Sequence, residues 1–452
     1  MADFDPATMA SSLATAYTQS AQDLLTAQSK AAQATSTALT KLQSALSTFA
    51  SALSSLSAKK GLTQYSATLS SSVGTAIASA TATPGNYSFF VEQVATAHQV
   101  AFEDLPAVPV SMGGPIAVKL NDGSTINLNL VAADADGDGT ISQAEIARAI
   151  NQSSDNKGKV TAMVMTVGDK TQLVLSSTST GEAGTLSLDV SGLPAGSLKD
   201  ALSAPKTLTA AKDAVVWLGD QGTGTRIQQA SNALTAIPGV TVNFTRAQST
   251  GDSPVTLSIA SDDSGTASNV RAFVDAYNTL EKALDDLTST GDASNGVSAA
   301  AFASDSGVRA MRNKLSALLR QDFGGVRLLD YGVSVSRDGS LSLDSTKLAK
   351  AVAANPDGLS KIFGSTSTAN RSGLLGALDA YADLWTDTSS GQIKRRQETL
   401  AKQQTSITSR QTRLDDRFNA AYTRYLAQFT QLQTLQQQMS QTTSIFDSIS
   451  TS

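Results

Sequence analysis

Residues 39–56 read LTKLQSALSTFASALSSL, and the large apolar side chains of this stretch follow one another at alternating intervals of three and four residues. They are Leu39, Leu42, Leu46, Phe49, Leu53 and Leu56. This spacing is that of the a and d positions of a heptad, the stripe that one α-helix packs against another. Residues 7–58 contain neither Gly nor Pro and are rich in Ala, Ser, Thr and Gln. The pattern therefore predicts one long helix.

A second heptad pattern occupies the other end of the chain, where residues 392–452 contain neither Pro nor Gly. The predicted seam positions are Leu400, Gln404, Ile407, Gln411, Leu414, Phe418, Ala421, Tyr425, Gln428, Leu432, Leu435, Met439, Thr442, Phe446 and Ile449. Because both ends carry a seam, we expect the two terminal helices to pack together into one stalk. The rest of the chain is then an insertion between them.

Charge is distributed unevenly along the C-terminal pattern. From Tyr425 onward Asp447 is the only charged residue. A solvated coiled coil normally carries Glu and Lys beside its seam, whereas Gln, Ser and Thr take those places here. One interpretation is an ordinary coiled-coil face. We favour the other, a helix that neighbouring subunits contact through neutral polar side chains.

Length and composition exclude several classes of protein. At about 150 residues per domain, 452 residues suggest three domains. Lys and Arg number 34 and Asp and Glu 39, which gives a net charge of −5, and no basic cluster is present. This balance argues against a nucleic-acid partner. No apolar run reaches the about 18 residues of a membrane helix, so a membrane is not an expected partner either.

The chain contains no cysteine and one histidine, His98. Disulfides, thiolate metal sites and cysteine nucleophiles are therefore excluded. His98 has no accompanying nucleophile signature and is interpreted as a surface residue. We find no catalytic constellation and expect a protein that is not an enzyme. The N-terminal residues show no cleavable secretory signal, so we expect a cytosolic protein or one exported without such a signal.

The middle of the chain is predicted to be rich in β-structure. Alternating apolar residues flank the turn Asp122-Gly123 and predict a hairpin over residues 116–130. Further strands are predicted at 87–101, 160–167, 172–176 and 186–190, and as a pair at 240–245 and 255–259. Helical periodicity occurs at 143–151, 270–287, 308–319, 347–354 and 374–385. The order predicts an α+β multidomain fold: terminal coiled-coil helices and a helical bundle with inserted β-rich domains.

The most specific motif is residues 134–145, DADGDGTISQAE, which matches the twelve-residue EF-hand calcium loop at every position. The candidate ligands are Asp134, Asp136, Asp138, Thr140 through its backbone carbonyl, Ser142 directly or through water, and Glu145. Such oxygens converge on one hard cation, so the sequence predicts a single structural Ca²⁺ site. The preceding segment is predicted as a strand, which makes this a strand–loop–helix variant.

A helix cap is the alternative interpretation of the same loop. Ser142-x-x-Glu145 is also a capping box. A cap does not explain three aspartates at alternating positions, whose mutual repulsion is costly without a cation. The sequence holds no second loop of this kind, and this favours a structural ion over a calcium sensor.

Several separated segments form a recognisable combination. They are GNY at 85–87, AIN at 149–151, LVLS at 173–176, SN at 231–232 with IPGVTV at 237–242, FVDAYN at 273–278, and a block from Gly332 to Gly364 that contains GSLSLD, KL, NP and IFG. Together they cover most of the chain in a consistent order. This combination resembles the flagellar filament cap proteins, the flagellar hook-associated protein 2 family.

The resemblance implies a function. Proteins of this family are secreted unfolded through the flagellar type III export channel, and they form a small, pentamer-like homo-oligomeric ring at the distal tip of the filament. The ring prevents flagellin leakage and promotes flagellin folding and polymerisation. Flagellin, the hook–filament junction proteins and an export chaperone are the implied partners. In some bacteria the head contacts host surfaces.

The resemblance also implies a division of the chain. Residues 1–50 and 400–452 are expected to form the terminal coiled-coil helices, and 51–83 and 265–399 a helical leg domain. Residues 84–108 and 206–264 are expected to form one β-rich head domain, and 109–205 a second that carries the EF-hand-like loop. That loop is not a general feature of the family, so Ca²⁺ depends on the motif alone.

Two alternatives remain at this point. Another flagellar axial protein, a flagellin or a hook–filament junction protein, also pairs terminal helices around an insertion, but the block from Gly332 to Gly364 argues against it. A calcium-dependent surface adhesin would repeat its calcium loops, and the sequence contains one.

Overall fold

The computed structural model describes residues 5–59 and 61–450, with the exception of the side chains of residues 293 and 447–450. The predicted seam position Ile449 and the ends of the predicted terminal helices, residues 1–4 and 451–452, therefore lie outside the described part. Within it the chain forms nine α-helices: α1 Pro6–Ser57, α2 Gln143–Gln152, α3 Ser197–Leu202, α4 Asp263–Thr288, α5 Ser306–Leu319, α6 Ser345–Ala354, α7 Gly358–Phe363, α8 Gly373–Thr386 and α9 Gln392–Ser450.

The strands of the described residues are concentrated between α1 and α4. They are β1 Tyr65–Leu69, β2 Gly74–Ala78, β3 Gly85–Gln93, β4 Ala97–Glu103, β5 Val108–Pro109, β6 Pro115–Leu120, β7 Thr125–Asn129, β8 Thr140–Ile141, β9 Val160–Val167, β10 Lys170–Thr180, β11 Leu186–Asp189, β12 Lys206–Thr209, β13 Ala214–Leu218, β14 Thr225–Gln229, β15 Ala233–Leu234, β16 Val240–Phe244, β17 Val255–Ser261, β18 Val333–Val335 and β19 Leu341–Leu343.

The chain divides into two compact units. The helical unit comprises the described residues up to Thr63 and from Thr266 onward, and the β-rich unit comprises Gln64–Gly265. The predicted α+β multidomain fold is confirmed. None of the helices in the described ranges is long and apolar enough to span a membrane.

The helical unit is organised around the seam of α1. All six large apolar residues from Leu39 to Leu56 are at most 4% exposed. They join a core with side chains from α4, α5, α6, α7, α8 and the start of α9. Phe49 meets Tyr277 of α4 edge to face, with 6.2 Å between ring centroids. The residues of the heptad pattern therefore pack into the core of a helical bundle, and not only against one partner helix.

The β-rich unit holds two apolar cores. One lies beneath the five-stranded sheet β1-β17-β3-β13-β14 and the three-stranded sheet β15-β16-β2. The other is built from the four-stranded sheet β12-β4-β10-β9, the three-stranded sheet β11-β6-β7 and α2. The predicted hairpin over 116–130 is present as β6 and β7, which pair Val118 with Ile126.

In three places the strands of this region differ from the expectation. Residues 64–83, assigned to the leg domain, form β1 and β2, which pair with β17 and β16 from the far side of the insertion. Residues 87–101 are two strands, because β4 leaves β3 to pair with β10 and β12. The segments 240–245 and 255–259 do not pair with each other. Most of the partner strands are distant in sequence, which a local pattern does not reveal.

The interpretation of His98 as a surface residue is also wrong. Its side chain is 8% exposed, and Nδ1 accepts a hydrogen bond of 2.8 Å from the backbone N–H of Leu186. Burial lowers the pKa of His98, so the neutral imidazole that this bond needs is favoured. His98 is therefore a structural residue of the β-rich unit.

Candidate functional site

The acidic loop brings three of its predicted ligands together. Carboxylate oxygens of Asp134, Asp136 and Asp138 all lie within 4.8 Å of one another. Asp136 and Asp138 are exposed, and Asp134 is partly buried. Among the described residues no other group of three such side chains converges in this way. The loop is therefore the candidate metal centre of the chain.

The backbone of the loop folds around these carboxylates. Gly137 and Gly139 adopt φ values of +74° and +81°, which glycine adopts without strain. The carboxylate of Asp134 accepts hydrogen bonds from both glycine N–H groups, at 2.8 Å and 3.1 Å. The backbone N–H and hydroxyl of Thr140 both donate to Asp138 at 2.7 Å. The hydrogen bonds of the turn thus position the carboxylates of Asp134 and Asp138.

Glu145 takes a different role from the three aspartates. Its carboxylate accepts hydrogen bonds from the backbone N–H of Ala135 at 2.7 Å and of Ser142 at 2.9 Å. These bonds lower the pKa of Glu145. The Ser142 hydroxyl in turn accepts from the Glu145 N–H, which completes the capping box of α2. The cap is therefore present, and Glu145 is outside the group of converging carboxylates.

Both ends of the loop are fixed to the fold. Ile141 is fully buried and, in β8, pairs with Val108 of β5. The guanidinium of Arg148 in α2 donates to the carbonyl oxygen of Ala133, just before the first aspartate. The loop is thus attached to the β-rich unit on both sides of its aspartates.

The terminal helices form the second candidate surface. They run antiparallel, since Gln397 of α9 donates to Gln43 of α1 at 3.3 Å and Gln411 donates to Gln22 at 2.8 Å. Leu400, Leu414 and Ala421 are buried in this pairing. The helices therefore meet through the predicted seam, with an amide hydrogen bond at one of its polar positions, Gln411, and a second at Gln397, just before the predicted seam begins.

The seam of α9 continues beyond the part that packs on α1. Ala7 and Thr8 at the start of α1 line a cleft with Phe418 and Tyr422 of α9. Farther along α9 the large apolar seam residues are exposed: Leu432, Leu435, Met439 and Phe446, by 42% to 67%. We call this set the distal seam. It is an apolar stripe on a surface that lacks charge up to Asp447.

The first half of α1 also carries exposed apolar residues. Met9, Leu13, Tyr17 and Leu24 of α1 are 42% to 62% exposed. The heptad spacing predicts a weaker upstream continuation of the seam through Leu13, Tyr17 and Leu25; Leu25 is buried, whereas Leu13 and Tyr17 are exposed in the single chain. Met9 and Leu24 could have been found as large apolar residues outside the strong heptad positions.

The comparisons with known proteins agree across most of the chain. The family model described as the flagellar hook-associated protein 2 C-terminus matches residues 211–441, and that of the N-terminus matches residues 2–98. The lateral flagellar hook-associated protein 2 of Vibrio parahaemolyticus is 38% identical over 379 residues, which cover 82% of this chain and 83% of that protein. The B-type flagellar hook-associated protein 2 of Pseudomonas aeruginosa is 30% identical, over 80% of this chain and 78% of its own.

A solved structure shares the fold. The D1-D2-D3 domains of the flagellar cap protein FliD from Escherichia coli superpose with a TM-score of 0.65 at 24% identity, and cover 80% of this chain and 99% of that one. The C-terminal family model alone spans about half of the chain. This protein therefore belongs to the flagellar hook-associated protein 2 family, the flagellar cap proteins of the distal filament tip.

Proposed function

We propose that this chain works as a structural cap that assembles into a small, pentamer-like ring, prevents flagellin leakage and promotes flagellin folding and polymerisation. The observation that carries the docking part of this proposal is the distal seam. It continues the stripe by which α9 packs on α1, and it extends past the start of α1 with its apolar side chains exposed. We propose a structural role without catalysis.

The distal seam suits contacts with other helices of the filament. Its apolar residues repeat at heptad spacing, which is the requirement for packing against a partner helix. Its flanks are Gln, Ser and Thr, so the contacts depend little on salt, because no opposite charges are brought together. Contacts of this kind break and re-form as subunits are added. We therefore expect flagellin or a hook–filament junction protein as the partner.

Removal of the distal seam tests this proposal. A chain that lacks residues 425–452 should keep its fold and fail to support filament growth. A milder variant combines Leu435→Gln and Met439→Gln, and its matched control combines Gln436→Ala and Ser440→Ala beside the seam. Electron microscopy of protein mixed with filaments shows whether caps sit at the tip. Normal filament growth with the truncated chain would exclude the terminal helix as the docking element.

The partners outside the ring follow from the family resemblance. We propose secretion through the flagellar type III channel with an export chaperone. The β-rich unit is the proposed region for contact with host surfaces. A binding assay with filaments that carry or lack the cap tests this adhesion role.

For the acidic loop we propose a single structural Ca²⁺ ion held by Asp134, Asp136 and Asp138, with Thr140, Ser142 and Glu145 as the remaining candidate ligands. Convergence of three carboxylates at EF-hand spacing supports the site. One observation argues against Glu145 as a ligand: its carboxylate already accepts hydrogen bonds from two backbone N–H groups. Ion binding through Glu145 thus requires its carboxylate to exchange or share these bonds.

Calorimetry with millimolar Ca²⁺ tests the site. Binding should release or absorb heat and raise the melting temperature, since a ligand that binds the folded state stabilises it. Asp136→Asn with Asp138→Asn should abolish both signals, while Asp155→Asn, which lies beyond α2, should leave them unchanged. No heat and no rise in melting temperature for the unaltered chain would disprove the site.

A further inference from the structure

Strand β9 forms one edge of the four-stranded sheet β12-β4-β10-β9. Edge strands present backbone groups that pair with other chains unless something covers them. The side-chain amide of Asn156 covers Val160: it donates to the carbonyl at 2.8 Å and accepts from the N–H at 2.9 Å. Asn151 covers Ala162 in the same way, at 2.7 Å and 2.9 Å. The first half of β9 is therefore protected.

The second half of β9 is open. Backbone groups of an antiparallel edge strand face the neighbour and the outside at alternate residues. Val160 and Ala162 face outward, so Val164 and Thr166 do as well. Within the described parts of the chain no side chain bonds to the backbone of either residue. Two residues thus offer an N–H and a carbonyl each to a further strand.

Exposed apolar side chains accompany this open edge. Met163, Met165 and Val167 are 44%, 40% and 58% exposed. By strand alternation they lie on the opposite face from Val160 and Ala162, which belong to the buried core. The open edge and the apolar stripe therefore coincide in residues 163–167, which we call the open segment.

The opposite edge of the same sheet is not a suitable partner for the open segment. Strand β12 has four residues, and its pairing with β4 is interrupted by a register shift between Thr207 and Thr209. It begins at Lys206, which forms an ion pair with Glu103. Short length, irregular pairing and lysine are all devices that keep edge strands from associating.

The open segment is complementary to itself. When two copies pair antiparallel about Met165, Val164 of each lies opposite Thr166 of the other, and all four outward residues exchange backbone hydrogen bonds. Met163 then lies opposite Val167, and Met165 opposite Met165. Beyond Val167 the chain turns back to β10 through Gly168, at a φ of +63°, and so leaves the partner clear.

We propose that residues 163–167 form a two-fold contact with the same segment of a second copy of this chain, which joins two four-stranded sheets edge to edge. The side-chain amides of Asn151 and Asn156 cover the rest of β9, so the pairing is confined to this short stretch. Because the two copies are related by a two-fold axis, the same restriction applies to both. The contact is separate from the proposed ring, because a cyclic ring requires two different surfaces on each subunit. A contact of this size predicts weak, concentration-dependent pairing.

Disulfide trapping in the full chain tests this contact, since the chain contains no cysteine of its own. Met165→Cys places two thiols at the two-fold axis, where opposite Cα atoms are about 4.5 Å apart, within the roughly 4.4–6.8 Å that a disulfide spans. Val167→Cys is the matched control. It is more exposed, but two copies of it lie about 13 Å apart along the paired strands. Under mild oxidation Met165→Cys should form covalent dimers about tenfold faster.

A second substitution tests whether the backbone edge is responsible. Val164→Pro removes an outward N–H and leaves the bonds from β9 to β10 intact, so in the Met165→Cys background it should abolish the fast cross-linking. Val164→Thr should preserve it. Equal rates for Met165→Cys and Val167→Cys would overturn the proposal, as would fast cross-linking that survives Val164→Pro. Ring formation is measured separately by electron microscopy. If rings form while the cross-linking results overturn this contact, the proposed cap function is unaffected.

Discussion

The two halves of α9 carry the same heptad pattern and have different surroundings. Up to Ala421 the apolar seam residues are buried or partly buried, whereas Leu432, Leu435 and Met439 are 42% to 63% exposed. Charges follow the same division, because residues after Tyr425 lack them up to Asp447. The same heptad pattern therefore predicts a helix over the whole length of α9. Only the first half of that helix finds a packing partner within the chain. The remaining half is available for another molecule.

The largest expected effect compares one leucine from each half. Leu400 is 7% exposed and belongs to the core of the helical unit, whereas Leu435 is 53% exposed. Leu400→Ala should lower the free energy of unfolding by about 2–3 kcal/mol, and Leu435→Ala by less than about 0.5 kcal/mol. Both variants replace leucine by alanine in the same helix, so the change in helix propensity is the same for both and does not contribute to the difference between them.

Chemical denaturation of the two variants measures this difference. The contrast between the halves disappears if Leu435→Ala loses as much stability as Leu400→Ala. Such a result would mean that the distal seam is already packed in the isolated chain.

How far the sequence predicts this molecule depends on how local each contact is. The helices follow from periodicity, since Leu39 to Leu56 are all buried as their spacing requires. The strands β1 and β2 do not follow from the local pattern, because their partners are about 160–200 residues away in the chain. At the acidic loop the converging aspartates follow from the motif. The placement of Glu145 does not, because a capping box and an ion ligand have the same sequence signature.

The second prediction concerns an ion pair in the first half of α9. Arg396 donates to both carboxylate oxygens of Asp305, at 2.7 Å and 3.0 Å, and lies over the ring of Trp385. Burial raises the pKa of Asp305, but the bonds from Arg396 and from the Val308 N–H outweigh it and leave the pKa lowered. Arg396→Met should reduce stability at neutral pH by about 1–2 kcal/mol.

The pH dependence of this effect has a definite sign. A lowered carboxyl pKa contributes stability above the unfolded value of about 3.9, and this contribution is lost as the pH falls through the folded value. The gap between the unaltered chain and Arg396→Met should therefore narrow below about pH 4. Arg413→Met, on the exposed face of α9, serves as the control and should stay within about 0.5 kcal/mol at every pH. A constant gap would show that Arg396 acts through packing alone.

The smallest expected effect compares two glutamines at polar seam positions. Gln411 donates to Gln22 of α1 at 2.8 Å and to Asp415 at 3.0 Å, whereas Gln428 is exposed. Gln411→Ala should lower the urea midpoint by an amount equivalent to about 0.5–1 kcal/mol, the net value of one hydrogen bond. Gln428→Ala should leave the midpoint unchanged or raise it slightly, because alanine is the better helix former. Filaments are then added to both variants. If Gln428→Ala weakens capping without lowering the urea midpoint, the Gln428 side chain acts toward a partner and not in folding. The division of α9 into a folding half and a docking half then extends to its polar seam positions.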